Sequence, residues 1–320
     1  MDAIRAATLI LAIATAIGAA LCLGGAVSDR LDVFTHLAPL YLAAGVIMLI
    51  VALATRSSGA GDAAVICAAS AVVIFALLVA PELIARASQR LVAPAAQTVK
   101  LVQFNVWDRN IDAVGTARWI LAEDPDIVVV EEADDAGARI PALLQGRYPH
   151  FSGCEGTRAC PTMILSKVGP SAEGRLHSPG LLSRWGGAWA SFGQGAGAFT
   201  VIGVHYTWPV PPDIQQTQSR RLGAFLARFD RQSLIVAGDF NMTPWSFSLW
   251  RQDARFGLQR RTRAVFTWPA AAISHFHIRF PFAFLPIDHV YAGKAWRTVG
   301  VRRGPRLGSD HFPVVVVLTR

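Results

Sequence analysis

Cysteine is scarce in this sequence, with four residues among 320. That number is too small for a fold held together by a framework of disulfides. Cys22 and Cys67 lie inside apolar runs, where cysteine acts as a small apolar residue. Cys154 and Cys160 lie in the stretch GCEGTRAC without histidines at zinc-like spacing, which argues against a metal knuckle. Their spacing allows a disulfide if this part of the chain lies outside the cytoplasm.

The sequence also lacks internal repeats, low-complexity tracts and any run of Lys and Arg on a segment suited to following a nucleic-acid backbone. Its formal net charge is nevertheless +8. Such a charge suits a phosphate-rich partner, either nucleic acid or anionic lipid. An excess of arginine set by membrane topology and surface attraction explains the same charge equally well. The charge alone therefore selects no partner.

Hydrophobic residues make up 52% of the chain and concentrate in its first third. Three apolar runs cover residues 6–27, 37–55 and 63–83. About twenty such residues suffice to cross a hydrocarbon core roughly 30 Å thick. A cleaved signal peptide is the alternative for the first run, but that run is long for one and two others follow it. We therefore predict a membrane anchor of three transmembrane helices in residues 1–84 and a linker over 85–97.

From residue 98 to 320 the pattern changes to strands alternating with helices, which is typical of an α/β domain. Predicted strands cover 99–106, 125–132, 161–166, 199–205, 233–239, 286–291 and 313–319, and predicted helices cover 113–123 and 213–229. Polar and acidic side chains recur where the apolar strands end, which is where an α/β scaffold displays a site. Carboxylate and amide oxygens are the ligands that Mg²⁺ prefers, and a neighbouring Asp can take a proton from water.

The motifs FN, PDIVVVEE, GVHYTWP, GDFN, PIDHV and SDHFP occur in that order between residues 104 and 313. This ordered set resembles the endonuclease/exonuclease/phosphatase superfamily, which includes abasic-site endonucleases, DNase I-like nucleases, sphingomyelinases and inositol phosphatases. The resemblance covers about residues 98 to 320. It implies a DNase I-like four-layer α/β sandwich, two mixed sheets packed face to face with helices outside. It also implies hydrolysis of a phosphoester or pyrophosphate with Mg²⁺ or Mn²⁺.

The resemblance assigns a metal role to three residues. Glu132 would be the principal ligand, with Asn105 and Asp310 close to the metal. Glu131 stands where the family often has Gln, so Glu132 is the preferred ligand. A strand-end Asn is also commonly structural, and either glutamate is also consistent with a solvated charge at the end of a strand.

The resemblance assigns the catalytic roles to five residues. Asp239 would activate or orient the attacking water, and Asn241 would bind the phosphate or hold that water. His311 would contact the scissile phosphate, with Asp288 orienting it, and His205 would contact the phosphate or assist the leaving group. Alternatively, GDFN is good turn chemistry and His205 and His289 are consistent with satisfied interface histidines. The occurrence of all six motifs in order favours the functional interpretation.

The expected substrate carries phosphate, and two classes compete: a lipid-linked envelope phosphate, for which anchoring to the bilayer is an advantage, and nucleic acid. The aromatic stretch 266–286 suits either an interfacial loop at the edge of a site for an apolar substrate or an insertion that packs into the core. A catalytically inactive binding module on a membrane anchor is the third hypothesis. No obligate protein partner is indicated. The Lys and Arg residues that flank the apolar runs slightly favour a cytoplasmic catalytic domain. We nevertheless expect an integral protein of a bacterial-type inner or plasma membrane with an extracytoplasmic catalytic domain, because the resemblance includes anchored members that act there and because a Cys154–Cys160 disulfide would form only there.

Overall fold

The computed structural model describes residues 2–56, 59–153, 161–176, 186–270 and 281–320. Cys154 and Cys160 lie outside the described residues, as does the middle of the aromatic stretch 266–286. The chain forms two compact units. The first comprises Met1–Ser88 together with Pro209–Asp213 and Met242–Arg251, and the second comprises the remainder.

The first unit contains the helices α1 (Asp2–Gly24), α2 (Asp29–Asp32), α3 (Ala38–Ala54) and α4 (Ala60–Ala87), with a 3₁₀ turn over Val33–Leu37. Within the described residues, three helical stretches are long and apolar enough to cross a membrane: Ala3–Gly24, Asp29–Ala54 and Ala60–Ala87. The long helices meet through small buried side chains, including Ala12, Ala52, Ala64 and Ala68, which allow close backbone approach. Helix α4 continues past the predicted end of the anchor at residue 84.

The second unit is built on two six-stranded sheets. In chain order the strands are β1 (Thr98–Asn105), β2 (Ile127–Glu131), β3 (His150–Ser152), β4 (Thr162–Ser166), β5 (Ala172–Leu176), β6 (Gly187–Phe192), β7 (Phe199–His205), β8 (Leu234–Asp239), β9 (Gln259–Arg260), β10 (Asp288–Ala292), β11 (Arg297–Arg303) and β12 (Val314–Thr319). One sheet has the order β11-β12-β1-β2-β4-β3 and the other β5-β6-β7-β8-β10-β9. The pairs β1–β2 and β7–β8 are parallel and the other pairs are antiparallel, so both sheets are mixed.

Alternation along the strands builds the layers, because successive side chains point to opposite faces of a sheet. Ile127 and Val129 of β2 belong to the core between the two sheets. Val128 and Val130 belong to a second core that includes Ile120 of helix α5 (Ala113–Glu123). The remaining helices are α6 (Arg139–Leu144), α7 (Pro212–Leu226) and α8 (Phe247–Phe256). The predicted four-layer α/β sandwich of the DNase I-like type is confirmed.

Candidate active site

The site lies where the inward-facing rows of both sheets change from apolar to polar. In β1, Val99 and Leu101 face the core between the sheets, and Gln103 and Asn105 continue the same row with the same alternation. In β8, Ile235 and Ala237 face the same core, and Asp239, the last residue of the strand, continues their row. Polar side chains from both sheets therefore meet at one end of the sandwich interior.

Strand pairing fixes which of these polar residues are neighbours. Asn105 pairs with Glu131 across the parallel strands β1 and β2. His205 pairs with Asp239 across β7 and β8, and Asp239 pairs with Asp288 across β8 and β10. Each pair lies at the end of its strands, so the side chains are brought together by the register of the sheets.

Asn105 joins the two carboxylates that lie nearest the opening of the site. Its Nδ2 donates to Glu132 Oε1 at 2.9 Å and to Asp239 Oδ2 at 3.1 Å. His205 Nε2 lies 3.6 Å from the same Glu132 oxygen and 3.7 Å from the same Asp239 oxygen. The Glu132 side chain remains 28% exposed, whereas that of Asp239 is buried. Glu132 therefore offers a carboxylate to solvent, and Asp239 lies beneath it.

His311 is held by a buried ion pair. Its Nδ1 lies 2.8 Å from Asp288 Oδ2, and its Nε2 lies 3.6 Å from Asp239 Oδ2. The other Asp288 oxygen accepts a hydrogen bond from Gln103 Nε2 at 2.8 Å, and the same nitrogen donates to Glu131 Oε2 at 2.9 Å. Asp288 thus uses both oxygens to fix neighbours and leaves His311 Nε2 directed toward Asp239.

Asn241 sits in a tight turn directly after β8. Its φ is 50°, in the left-handed region that Asn tolerates better than most residues. The backbone N–H of Asn241 donates to Asp239 Oδ1 at 2.9 Å. Its side-chain Nδ2 donates to the Tyr206 carbonyl oxygen at 2.9 Å and lies 3.3 Å from Asp239 Oδ2. The turn therefore orients the Asp239 carboxylate as well as Asn241 itself.

The loop before β12 is fastened to β1 by Ser309. The Ser309 hydroxyl donates to the Asn105 carbonyl oxygen at 2.7 Å and accepts from the His311 backbone N–H at 3.0 Å. Between them, Asp310 accepts a hydrogen bond from Trp268 Nε1 at 3.2 Å through Oδ2. Its Oδ1 is buried and has no hydrogen-bond partner among the residues that the structure describes.

Burial and mutual interaction shift the protonation of the central groups. Burial raises the pKa of Asp239 to about 6, against the opposing effect of the His311 charge. Burial alone would lower the pKa of His311, but the charges of Asp288 and Asp239 and the bond to Asp288 raise it well above its usual value. Burial alone would raise the pKa of Asp288, but the charge of His311 and the hydrogen bond to it leave that pKa lowered. Both shifts favour the charged forms, an imidazolium bound to a carboxylate.

Glu131 lies beneath this pair and is fully buried. Burial and the charge of Asp288 raise its pKa well above the usual value, and the bond from Gln103 only partly opposes this. The shift favours the neutral form of Glu131. Glu132, the next residue, has a positive φ of 51°, and its carboxylate lies at the Asn105 end of the site.

The donor set at the opening fits a hard divalent cation. Magnesium takes oxygen ligands, needs only one or two protein carboxylates and keeps several waters. Glu132 supplies a partly exposed carboxylate, and the buried, unpartnered Oδ1 of Asp310 is an acceptor that a cation would satisfy. Ligand atoms of Asp239, Asp288 and His311 also lie within 4.8 Å of one another. Because Asp288 and His311 are bound to each other, that second group is better suited to proton transfer than to metal binding.

The structure brings together all eight residues singled out in the sequence. Direct contacts connect Asn105, Glu132, Asp239, His205, His311, Asp288 and Asn241, and Asp310 precedes His311 in the same loop. His289 faces the other way, 3.5 Å from Thr262 Oγ1, in agreement with its structural interpretation.

Sequence reasoning missed two residues of the site. Gln103 ties Glu131 to Asp288, and Trp268 donates to Asp310. Gln103 had a usable signal, because it shares the alternation of Asn105 in QFN and lies on the same face of β1. Nothing local pointed to Trp268, which lies 42 residues away from Asp310 in the sequence.

The family model described as "Endonuclease/Exonuclease/phosphatase family" matches residues 102–311. The fold is similar to that of sphingomyelinase C from Streptomyces griseocarneus, with a TM-score of 0.54 at 18% identity over 70% of this chain and 100% of the other. TDP2 from D. rerio, complexed with single-strand DNA product, gives a TM-score of 0.55 at 16% identity, covering 70% and 100%. A double mutant of beta toxin from Staphylococcus aureus with bound magnesium ions gives 0.54 at 14% identity, covering 70% and 100%. No curated protein matches the sequence.

The matched segment covers most of the chain and contains all eight residues of the site, and His311 is its last residue. The chain belongs to the endonuclease/exonuclease/phosphatase family. It is a hydrolase of phosphoester bonds carried on a chain with three candidate membrane-spanning helices.

Proposed function

We propose that this protein uses a divalent cation and an activated water to hydrolyse a phosphoester or pyrophosphate, in a lipid-linked substrate at the membrane. One observation carries the proposal. Glu132, Asp239, His205 and His311 converge from separate strand ends, with nitrogen and oxygen atoms 3.6 to 3.7 Å apart. Such a group offers a cation site, a base and donors for a charged phosphate within a single pocket.

Glu132 and Asp310 would hold Mg²⁺ or Mn²⁺, with Asn105 beside them. The cation would supply Lewis-acid stabilisation of charge on the phosphoryl oxygens. Asn105 donates to both Glu132 and Asp239 and so keeps the two carboxylates at a fixed separation. Its contribution is to the shape of the cation site and to the position of the base.

Asp239 would accept a proton from the attacking water as the oxygen–phosphorus bond forms. A pKa of about 6 leaves it mostly ionised at neutral pH and close to the range favoured for a general base. The backbone N–H of Asn241 donates to Asp239 Oδ1 and so fixes the orientation of the carboxylate. The other oxygen, Oδ2, would accept the proton from the water. His311, charged and anchored by Asp288, would donate from Nε2 to the phosphate, and His205 would donate to the phosphate or the leaving oxygen.

The lipid-linked substrate is supported by two features of the chain. The three candidate membrane spans would keep the site close to a bilayer, which raises the rate of encounter with lipid headgroups. Trp208 is 62% exposed and packs edge-on against Trp268, with ring centroids 5.9 Å apart. Because Trp268 also donates to Asp310, this aromatic pair begins at the edge of the site and suits an apolar group next to the phosphate.

A nuclease is the second candidate. It is favoured by the net charge of +8 and by the similarity to TDP2, whose structure holds single-strand DNA product. An inactive binding module is a weaker alternative, because side chains proposed as base and phosphate ligands are held in contact with their neighbours. We further propose an extracytoplasmic catalytic domain in a bacterial-type inner or plasma membrane, with Cys154 and Cys160 joined as a disulfide.

The test uses the full-length protein in lipid nanodiscs with Mg²⁺ or Mn²⁺. Phosphate release from lipid diphosphates is compared with cleavage of plasmid DNA, for the unmodified protein, Asp239→Asn and the matched variant Asp62→Asn. Metal-dependent release from the lipid that is lost only in Asp239→Asn is expected. Cleavage of DNA alone would eliminate the lipid substrate, and metal binding without activity on any phosphoester would favour the binding module.

A further inference from the structure

The first unit contains an unusual contact between two distant parts of the sequence. Residues 25–37 join helix α1 to helix α3, and we call them the first connection. Within the unit, the first connection packs on the segment Met242–Arg251, more than 200 residues later. That segment begins at the residue bonded directly to Asn241 of the site. The anchor therefore contacts the chain immediately downstream of GDFN.

Asp32 accepts hydrogen bonds from the start of helix α8, and that start lies in this segment. Its Oδ1 accepts from the Phe247 N–H at 2.9 Å and its Oδ2 from the Ser248 N–H at 2.7 Å. The first N–H groups of a helix have no partner within the helix and favour a negative charge. The Ser246 hydroxyl oxygen accepts a hydrogen bond from the next backbone N–H, that of Leu249, at 3.2 Å. Helix α8 thus depends on a carboxylate from the anchor for two of its first three N–H groups.

Further contacts tie the first connection to the rest of the segment. The Trp245 indole N–H donates to the His36 carbonyl oxygen at 3.1 Å, and His36 Nδ1 lies 3.0 Å from Thr243 Oγ1. Arg251 forms an ion pair with Asp29. Asp32, His36, Thr243 and Trp245 are all buried. A buried and satisfied polar network of this kind specifies one arrangement, because any shift leaves a desolvated group unpaired.

The position of the segment bears on the geometry of the site through the chain itself. Asn241 adopts a positive φ, and its backbone N–H and side chain orient the Asp239 carboxylate. Met242 follows by one peptide bond, so the direction in which the segment leaves constrains the backbone of Asn241. Small errors in the placement of a base lower the rate of reaction steeply.

We infer that the first connection is a positioning element for catalysis, in which Asp32 fixes the Met242–Arg251 segment and thereby the Asp239–Asn241 turn. The anchor then does more than tether the enzyme to the bilayer. This inference rests on the proposed phosphoesterase function. Asp32 is a positioning residue, because it touches the segment and not the substrate.

The test replaces Asp32 with Asn in the full-length protein in nanodiscs. An Asn side chain presents an NH₂ group to one of the two helix N–H groups and carries no charge, so it cannot accept both bonds. The matched control is Asp62→Asn, which removes the same charge from the start of α4, where Asp62 pairs with Arg56 in an exposed bridge 2.8 Å long. Trp245→Phe is the second variant, and it removes the indole donor to His36 together with part of a fully buried ring.

For Asp32→Asn we expect kcat to fall about tenfold or more while KM stays within about twofold, because placement of the base and not substrate binding is disturbed. Hydrogen exchange at Phe247 and Ser248 should accelerate about tenfold or more, since two charge-assisted bonds are lost. Trp245→Phe should lower kcat about two- to tenfold, in line with one neutral hydrogen bond. Asp62→Asn should match the unmodified protein in both measurements.

Two results would overturn the inference. Faster exchange with unchanged kcat in both variants would make Asp32 an ordinary helix cap, and unchanged exchange would show that the first connection does not hold the segment. If the unmodified protein cleaves no phosphoester, the proposed function fails. The exchange measurement then still decides whether the anchor fixes this segment.

Discussion

Replacing Asp288 with Asn tests the central charge arrangement of the site. The substitution keeps the shape of the side chain, and its oxygen still accepts the bond from Gln103. It removes the negative charge 2.8 Å from His311 Nδ1, in a place where both residues are buried. His311 then faces the cost of burial without its main compensating partner, so its pKa should fall from well above 6.5 toward or below that value.

The expected loss of stability depends on pH in a defined way. Removing one partner of a buried ion pair costs about 3 to 5 kcal/mol, and the remaining hydrogen bonds of Asn place this case at the lower end. The raised pKa of His311 contributes stability that is complete below its ordinary value of 6.5 and is lost as pH rises through the raised value. The lowered pKa of Asp288 contributes stability that is complete above 3.8 and is lost as pH falls through the lowered value. The difference between the two proteins should therefore be largest between pH 3.8 and 6.5.

The assay follows His311 by NMR in full-length protein with labelled histidines, together with chemical denaturation and turnover of the phosphoester substrate. Activity at neutral pH should fall about 10²- to 10⁴-fold, because a neutral His311 no longer stabilises charge on the phosphate. Asp230→Asn is the matched control. Asp230 precedes the first residue of β8, whereas Asp239 is the last residue of that strand, and the Asp230 carboxylate accepts a hydrogen bond from the nearby Gln232 N–H. An unmoved His311 pKa with activity within about threefold of the unmodified protein would refute this reasoning.

Three further predictions follow from the same geometry. Glu132→Gln should weaken Mn²⁺ binding by more than about tenfold in titration calorimetry, whereas Glu173→Gln on an exposed strand should leave it unchanged. Equal Mn²⁺ affinities of the two variants would show that Glu132 is not a ligand of the cation. Gly238→Ala should cost more than about 3 kcal/mol in denaturant unfolding, because a Cβ there would lie 1.8 Å from the Val204 carbonyl oxygen, and a loss below about 1 kcal/mol would contradict that packing. A reporter fused after Arg320 should signal from outside the cytoplasm, and a cytoplasmic signal would overturn the proposed orientation and leave Cys154 and Cys160 as free thiols.

The sequence predicted those helices and strands whose own residues contain capping signals or an apolar run. Helix α5 begins and ends at the predicted residues, because Asp112 accepts from the Gly115 N–H at its start and Asp124 turns into the left-handed region at its end. Strand β7 also matches its predicted bounds, and its apolar run is buried as expected for an internal strand. Both sheets could be anticipated from such runs together with the family resemblance.

Strands β3, β5, β6, β9 and β11 were not predicted, and two of them lack such a pattern. Strand β5, AEGRL, lies at a sheet edge with most of its residues exposed, and β9 has only two residues. Neither shows the alternation that marks a half-buried strand. The contact of the first connection with Met242–Arg251 was also beyond sequence reasoning, because it joins residues more than 200 positions apart through backbone N–H groups that no side-chain pattern reveals.

Gln103 and Glu131 show the same limit inside the site. Their types are visible in the sequence, but their protonation and bonding depend on Asp288, which arrives from the other sheet. The position of a side chain along its strand could be predicted from alternation. Its electrostatic environment required the packing of the two sheets.

The described residues contain three candidate membrane helices, which is an odd number. A chain that crosses three times leaves its two termini on opposite sides of the bilayer, so the side on which the proposed hydrolysis takes place would be decided when the first helix inserts. Any change that reverses that helix would deliver the same hydrolase to the other compartment, with its chemistry intact and a different pool of substrates within reach.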